Sequence, residues 1–318
     1  MVIRKIKAVA LLALGLGLCS IAIGDISGTG EQRSFYGGLL SLLLSDAPVD
    51  AAEAVVVAFR RVELLDRSGS VVDAFSFSPS RKIDLLALQG SNSLPLLDRE
   101  SVAGGHFDQI RLMVDAAEAD CQNPVAPPSS FVRVEGIDYP LVLPAGKEPG
   151  ITLRRPISVP AGRSVSYVLD FDLRRSVAAR GDTGCYNLLP TIRLENVADT
   201  GSAQGTVPGH WLSGSNCLAD SVSGRGAAVY AYTGANVRPS DMVGARGGPF
   251  ATDTIAPHPN RPGRFVFDLG FLPAGDYTLA FTCQAALDDA QRRDEIDFVS
   301  SHNVEVIAGR TSRSHFGP

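Results

Sequence analysis

Two histidines of the sequence stand next to residues that could work with them. His106 and Asp108 are two positions apart, so both side chains would lie on one side of a β-strand, a spacing that a metal ion or a general base could use. The pair His210 and Trp211 could stack a sugar ring, because an indole offers a wide apolar face. No second histidine cluster accompanies either pair. We interpret the first pair as solvated at the start of a strand, and Trp211 as a core or inter-domain side chain.

Two sets of carboxylates could bind calcium if loops brought them together. The sets are Asp46 with Asp50 and Glu53, and Asp170 with Asp172. Calcium loops usually concentrate alternating Asp, Asn and Gly residues in one short segment, and neither set does so. We predict solvated or turn-capping acids and no metal site.

The sequence holds none of the compact motifs of common enzyme classes. It lacks a Gly-x-Ser-x-Gly elbow, a His-Glu-x-x-His pair, a phosphate-binding Gly-x-x-x-x-Gly-Lys-Ser/Thr loop and a dinucleotide fingerprint. We predict no catalytic residue and no cofactor. A catalytic group built from distant loops needs only spatial adjacency. An enzyme is therefore kept as the alternative, and its first suspects are His106, Asp108, His210 and Asp172.

The first 24 residues have the composition of an export signal. Three basic residues precede an uncharged run over residues 8–18, which is the order found in secretory signals. We predict cleavage between Gly24 and Asp25, with a cut after Ala22 as the alternative. The charge-free stretch over residues 8–24 is shorter than the roughly 20 residues of a membrane-spanning helix, so a cleaved signal is favoured over an anchor.

Cys19 raises the alternative of a lipid anchor, since lipoprotein signals attach lipid to a cysteine at the end of such a run. The residue before it is Leu18, where these signals have a small residue. Lipidation is therefore the minority interpretation, and membrane attachment would depend on it.

The composition allows two hydrophobic cores and argues against nucleic acid as a partner. The chain has 318 residues, of which 45% are hydrophobic. Its formal net charge is −5, and loss of residues 1–24, with three basic and no acidic residues, brings it to −8. Such an acidic chain is a poor nucleic-acid binder.

Four cysteines remain after cleavage: Cys121, Cys185, Cys217 and Cys283. An even number in an oxidising compartment indicates two disulfide bonds, for which three pairings are possible. We favour Cys121 with Cys185 and Cys217 with Cys283, because a polar, small-residue seam over residues 196–205 falls between the two pairs. Zinc is disfavoured, since no Cys-x-x-Cys pair exists.

Alternation of apolar and polar residues dominates the chain and predicts antiparallel strands. In residues 164–174 the odd positions from Val165 to Leu173 are apolar, whereas Asp170 and Asp172 fall on the opposite face. Similar alternation marks residues 106–115, 264–272 and 276–283. Turns of the Leu-Pro-Ala-Gly type are predicted at residues 143–146, 159–162 and 272–275. A weak helix candidate covers residues 286–295.

The leucine-rich segment that begins at Gly37 predicts the first two strands. Leu40, Leu42 and Leu44 share one face, and Pro48 ends the ladder because it lacks a backbone donor. The chain then restarts as a strand whose apolar positions change parity. That change predicts a β-bulge at Arg60–Arg61.

Between about Gly37 and Val197 the chain contains, in order, GGLLSLLLSDAPVDAAEAVVVAFRRVELL, KIDLLALQG, GGHFDQIRLMV, YVLDFDLRRSV and YNLLPTIRLENV. Together these segments resemble a bacterial family of exported proteins known as domain of unknown function 4382. The resemblance implies a secreted protein or lipoprotein with an all-β domain, and it brings no agreed activity. Phe107 stands where the family has a tyrosine. From about Ser202 onward the chain loosely resembles prealbumin-like and carboxypeptidase-regulatory-like β-sandwiches.

These observations predict an all-β protein with two β-sandwich domains in tandem, Ig-like or prealbumin-like. The predicted segments are a signal peptide (1–24), a flexible segment (25–36), a first domain (37–199) and a smaller second domain (203–318). We predict a non-catalytic exported protein of the periplasm or cell surface that binds an envelope protein or a glycan, as an adhesive or accessory module. The alternative is an envelope hydrolase or metal-dependent enzyme.

Overall fold

The computed structural model describes residues 37–47, 52–116, 128–143, 150–181, 183–243 and 248–317. Within these ranges strands dominate, which confirms the all-β class, and no helix is long and apolar enough to cross a bilayer. Several predicted features lie outside the described residues. They are the export signal with Cys19, Gly24 and Asp25, the segment over residues 25–36, Asp50, Cys121 and most of the turn at residues 143–146.

Strands of the first part of the chain, residues 37–199, build two large sheets and one small one. They are β1 (Gly38–Ala47), β2 (Ala54–Leu65), β3 (Val71–Asp84), β4 (Leu94–Val102), β5 (Gly105–Phe107), β6 (Gln109–Val114), β7 (Phe131–Val134), β8 (Ile137–Val142), β9 (Gly150–Leu153), β10 (Ile157–Val159), β11 (Ser164–Asp172), β12 (Val177–Ala179), β13 (Tyr186–Leu188) and β14 (Ile192–Asn196). One sheet has the order β14-β11-β1-β4 and another β12-β13-β8-β7-β2-β6-β9, with β3 also on β2. Strand β5 pairs with β10, and buried side chains of the two large sheets share one core.

The first two strands follow their sequence patterns. Strand β1 lies between β11, to which it is parallel, and β4, to which it is antiparallel. Leu40, Leu42 and Leu44 are fully buried, as their shared face predicts. The pairing of β2 with both β3 and β6 shifts between Phe59 and Arg61. The predicted bulge is therefore confirmed.

Strands of the second part, residues 200–317, build two four-stranded sheets. They are β15 (Thr200–Pro208), β16 (Ala228–Thr233), β17 (Ala251–Thr254), β18 (Ala256–Pro257), β19 (Arg264–Pro273), β20 (Gly275–Thr282), β21 (Ser300–Val306) and β22 (Thr311–His315). The sheet orders are β18-β19-β15-β22 and β17-β16-β20-β21. Side chains of both sheets meet in a second core, to which Phe267, Leu279 and Phe281 contribute.

Helical structure is confined to short turns in the described residues. They are α1 (Leu173–Ser176) and the 3₁₀ helices Leu85–Ala87, Val197–Asp199, Gly209–Ser213 and Ala285–Leu287. The helix predicted over residues 286–295 is wrong beyond its first residues. Carboxylates there bind backbone N–H groups that a helix would use: Asp294 accepts from Asp289 at 2.7 Å, and Asp289 accepts from Gln291 at 2.9 Å.

The turn predicted at residues 159–162 is confirmed. The Arg163 N–H donates to the carbonyl of Pro160 at 3.1 Å, and Gly162 has a φ of +71°. Strand β15 begins at Thr200, inside the predicted seam and before the predicted domain start at residue 203. The described residues fall into one compact unit, so the division into two domains stays a prediction.

The polar face of β11 is buried, which corrects the prediction of solvated acids. Asp170 and Asp172 are 5% and 8% exposed, and Asp46 on the neighbouring strand is 3% exposed. Arginines neutralise the two β11 acids: Arg193 pairs with Asp170, and Arg175 with Asp172 at 3.3 Å. The turn-capping role is confirmed for Asp172, whose carboxylate accepts the backbone N–H of Arg175 at 3.2 Å.

Candidate functional site: the Trp211 cleft

The 3₁₀ helix Gly209–Ser213 carries the pair His210 and Trp211 directly after β15. The backbone N–H of Gly209 donates to the carbonyl of Gly263 at 2.8 Å and fixes the start of this helix. A 3₁₀ helix has three residues per turn, so adjacent side chains point in different directions. His210 is accordingly exposed, while Trp211 turns toward the second core.

Trp211 is half-buried against the aromatic part of that core. Its ring centroid lies 5.8 Å from that of Phe281, with planes inclined by 33°, and 6.2 Å from that of Phe316, nearly edge-on. The His210 ring lies edge-on at 6.3 Å. The predicted packing of Trp211 in a core is confirmed, and its remaining surface borders a cavity.

This cavity, the Trp211 cleft, has a volume of about 500 Å³. Its aromatic and polar lining consists of His210, Trp211, Asn216, Gln284, Asp297 and Phe298. The Gln284 side chain joins two walls, because its Nε2 donates to the Asn216 carbonyl at 3.0 Å and its Oε1 accepts the Asp297 N–H at 2.8 Å. The loops around the cleft are thus held by hydrogen bonds that do not use the Asn216 or Asp297 side chains.

Cys217 and Cys283 also line the cleft and lie next to each other. The thiol of Cys217 points to the carbonyl oxygen of Cys283 at 3.9 Å. Burial, with the Cys217 thiol beside it, raises the pKa of the Cys283 thiol to about 12. Both residues are thiols in the structure, so the predicted bond between them stays a prediction. Cys185 does take part in a disulfide bond, and its predicted partner, Cys121, lies outside the described residues.

The suspects of the enzyme alternative lie on separate elements. His106 is exposed on β5, and the backbone N–H of Asp108 donates to the carbonyl of Leu65 at 2.9 Å. Asp172 is buried at the start of α1, and His210 lies at the cleft. In the described ranges, no group of three or more His, Cys, Asp and Glu side chains is placed to hold a metal ion.

The acids of the first predicted calcium set are also apart. Asp46 is buried at the end of β1, whereas Glu53 is exposed and accepts the N–H of Gly136 at 3.2 Å. Asp50 is not among the described residues. Glu53 therefore serves the β7–β8 turn.

A comparison with protein families covers the first part of the chain. Residues 37–190 match the model of a family described as a domain of unknown function, DUF4382. This part of the chain is similar to that family. The resemblance seen in the sequence is confirmed, and the match ends at residue 190 rather than near Val197. No curated protein matches the chain.

Three solved structures are similar at low identity. The TIE protein of Bacillus anthracis is 11% identical with a TM-score of 0.19, over 87% of this chain and 33% of that one, so the chain spans about a third of that protein. The fimbrial anchor protein Mfa2 of Porphyromonas gingivalis is 8% identical with a TM-score of 0.17, over 83% and 81% of the two chains. The major pilin of Streptococcus pyogenes is 10% identical with a TM-score of 0.18, over 88% and 99%.

Three arginines of the first part of the chain contact residues of the second part. Two of them lie within the DUF4382 match, and the third follows it. We call Arg174, Arg175 and Arg193 the arginine joint. Arg175 donates to the carbonyls of Met242 and Pro249 at 3.1 and 3.3 Å. The guanidinium of Arg193 lies 4.3 Å from the centroid of the Phe250 ring. These contacts explain why the acids of β11 are buried.

Arg174, in the DUF4382 match, borders a second cavity of about 560 Å³. It donates to the hydroxyl of Tyr230 at 3.2 Å and to the carbonyl of Ala285. The carboxylate of Asp288 accepts the Tyr230 hydroxyl at 2.7 Å and the Met242 N–H at 3.0 Å. Burial raises the pKa of both Asp288 and Tyr230. The buried polar groups of this cavity are thus paired with one another.

Asp253 on β17, which lies outside the DUF4382 match, makes the stability of the folded chain depend on pH. It is 7% exposed, and its Oδ2 accepts the backbone N–H of Asp268 at 2.6 Å. Burial, reinforced by the Asp268 carboxylate, raises its pKa from 3.8 to about 8. Since the folded-state pKa exceeds the unfolded value, the folded chain holds a proton that the unfolded chain releases. The stability that Asp253 contributes is present below about pH 4 and is lost as the pH rises through about 8.

We predict that Asp253→Asn becomes increasingly more stable than the wild type as the pH rises from about 4 to about 8. The amide keeps the acceptor for Asp268 and cannot ionise, and each pH unit of the interval is worth up to about 1.4 kcal/mol. Urea unfolding at a series of pH values measures the difference. Asp276→Asn, at an exposed carboxylate of β20, is the control without such a gain. A constant difference between Asp253→Asn and the wild type across this interval would contradict the prediction.

Proposed function

We propose that the chain is a non-catalytic exported module of the cell envelope that binds an envelope protein or a glycan. The observation that carries this proposal is what the buried charged groups contact. Asp170 and Asp172 pair with Arg193 and Arg175, and these arginines contact the second part of the chain. The ionisable side chains therefore link the two parts.

Acid–base catalysis needs a titratable group that can exchange a proton with a substrate. The buried acids with raised pKa values are engaged in other contacts. Asp172 caps α1, Asp288 accepts Tyr230, and Asp253 accepts the backbone of Asp268. Such contacts fix the sheets of the first part of the chain relative to the sheets of the second part. This rigidity suits an adhesive or accessory role, since surfaces that bind a partner then keep a constant relative position.

The location of the protein tests the export part of the proposal. We expect the full-length chain, tagged at its C-terminus and produced in a bacterial host, to lose residues 1–24 and to accumulate in the envelope. Mass spectrometry of the purified protein gives the new N-terminus, and a mass increase at Cys19 would identify the lipid-anchored form. Intact chains retained in the cytoplasm would overturn the proposal.

Binding tests the functional part. We expect purified mature protein to bind sedimented envelope fragments of its host saturably. His106→Ala is expected to bind as well as the wild type and to restore any phenotype of a gene deletion, because His106 is exposed and far in sequence from the cleft residues. A folded His106→Ala variant that binds envelope normally but fails to restore the phenotype would favour the enzyme alternative.

A further inference from the structure

We propose that the Trp211 cleft binds one ring of an uncharged saccharide, stacked on the indole of Trp211 and hydrogen-bonded by Asn216 and Asp297. This inference rests on the proposed envelope-binding function and names its ligand class. The cleft volume of about 500 Å³ lies within the range of about 300–1,000 Å³ that is typical of ligand sites.

The indole is a pre-organised platform. The ring centroids of Phe281 and Phe316 lie 5.8 and 6.2 Å from that of Trp211, and all three rings belong to the second core. A side chain that is fixed before binding loses little conformational freedom when a ligand stacks on it. One face of a pyranose ring presents C–H groups, which pack well on such an apolar surface.

The rim of the cleft supplies the polar groups that sugar hydroxyls need. Asn216 offers an amide donor and acceptor, Asp297 offers carboxylate acceptors, and His210 offers a ring nitrogen. The backbone groups around them are already paired through Gln284 and Thr282. A hydroxylated ring would therefore use the side chains without disturbing the walls.

The charge and the shape of the cleft select among ligand classes. Its lining among the described residues includes Asp297 and neither lysine nor arginine, which disfavours acidic sugars. A peptide added as a strand would need unpaired backbone groups along a sheet edge. At the cleft the Val299 N–H already donates to the carbonyl of Phe281 at 2.8 Å, and loops form most of the remaining wall. An uncharged saccharide fits these features better than a peptide.

Trp211 is the single tryptophan of the chain, so its fluorescence reports directly on the cleft. We expect chitohexaose or cellohexaose, both uncharged, to change the Trp211 emission of the mature protein saturably. A hexamer of galacturonic acid should cause no such change. Isothermal calorimetry with the same oligosaccharides gives the affinities independently of the fluorescence.

Two variants test the site without removing the core tryptophan. We expect Asn216→Ala and Asp297→Ala each to weaken saccharide binding at least fivefold while leaving the melting temperature unchanged. Glu295→Ala is the matched control, because it removes an exposed acid two positions from Asp297 that is not part of the lining. Trp211→Phe, which keeps an aromatic ring in the core, should weaken binding more than tenfold by calorimetry.

Three results would overturn the inference. They are no binding of either uncharged hexamer at millimolar concentration, equal binding by wild type and both alanine variants, or preferential binding of an envelope peptide. In each case the proposed function would still stand if the wild-type protein binds envelope fragments. Loss of envelope binding with intact saccharide binding would instead reject the proposed function.

Discussion

Gly205→Ala is expected to destabilise the second part of the chain by about 3 kcal/mol or more. Gly205 lies on β15 between Ser314 of β22 and Phe267 of β19. A Cβ atom there would overlap the carbonyl oxygen of Ser314 and lie 2.6 Å from its carbonyl carbon and 2.7 Å from Cε1 of Phe267. Two of these three atoms belong to backbone, which yields only by moving a strand. Unfolding of the two sheets of the second part should become less cooperative in this variant.

Urea unfolding followed by Trp211 fluorescence measures this effect, because Trp211 lies in the same core. Gly214→Ala is the control. Its Cβ would meet only the Trp211 carbonyl oxygen, at an ordinary 3.6 Å, so its stability should stay within about 1 kcal/mol of the wild type. If the urea midpoint of Gly205→Ala equals that of Gly214→Ala, the prediction is contradicted, because β22 must then be able to move aside.

Arg175→Ala is expected to destabilise the folded chain by roughly 3 kcal/mol. The substitution leaves the carboxylate of Asp172 buried without its 3.3 Å partner and leaves the carbonyls of Met242 and Pro249 without a donor. Burial already raises the pKa of Asp172, and Arg175 opposes that shift. Its loss therefore increases the cost of burying the charge.

Arg292→Ala provides a matched control for Arg175→Ala. The Arg292 side chain is 67% exposed and pairs with Asp289 and Asp294, so its removal should cost no more than about 1 kcal/mol. The double variant Asp172→Asn with Arg175→Ala should be less destabilised than the sum of the two single changes, since no charge then stays buried alone. Strict additivity would contradict a direct coupling of the pair.

The sequence predicts the structure correctly where a local pattern governs local structure. The alternation in β1 and the change of parity in β2 predicted buried leucines and a bulge at Arg60–Arg61, and both are present. Side chains of a strand alternate between two faces, so such a pattern needs no knowledge of the neighbouring strand. The same signal predicted the apolar face of β11.

The sequence does not predict the structure where distant segments meet. The β11 acids are predicted to be solvated because one strand does not reveal that Met242, Pro249 and Phe250 contact the arginines that pair with these acids. The helix predicted over residues 286–295 failed because side-chain carboxylates bind the local backbone. His210 and Trp211 are neighbours in sequence, whereas Asn216, Gln284 and Asp297 come together only in the fold, where 68 positions separate Asn216 from Gln284.

The sequence by itself determined the all-β class, the faces of the main strands and the similarity of residues 37–190 to the DUF4382 family. Only the tertiary structure decided which charged groups are buried, how the arginine joint links the two parts and which residues form the Trp211 cleft. The physical reason is the range of the interactions. Strand periodicity acts between residues two positions apart, whereas burial and ion pairing depend on the strands and loops that the rest of the chain places on top.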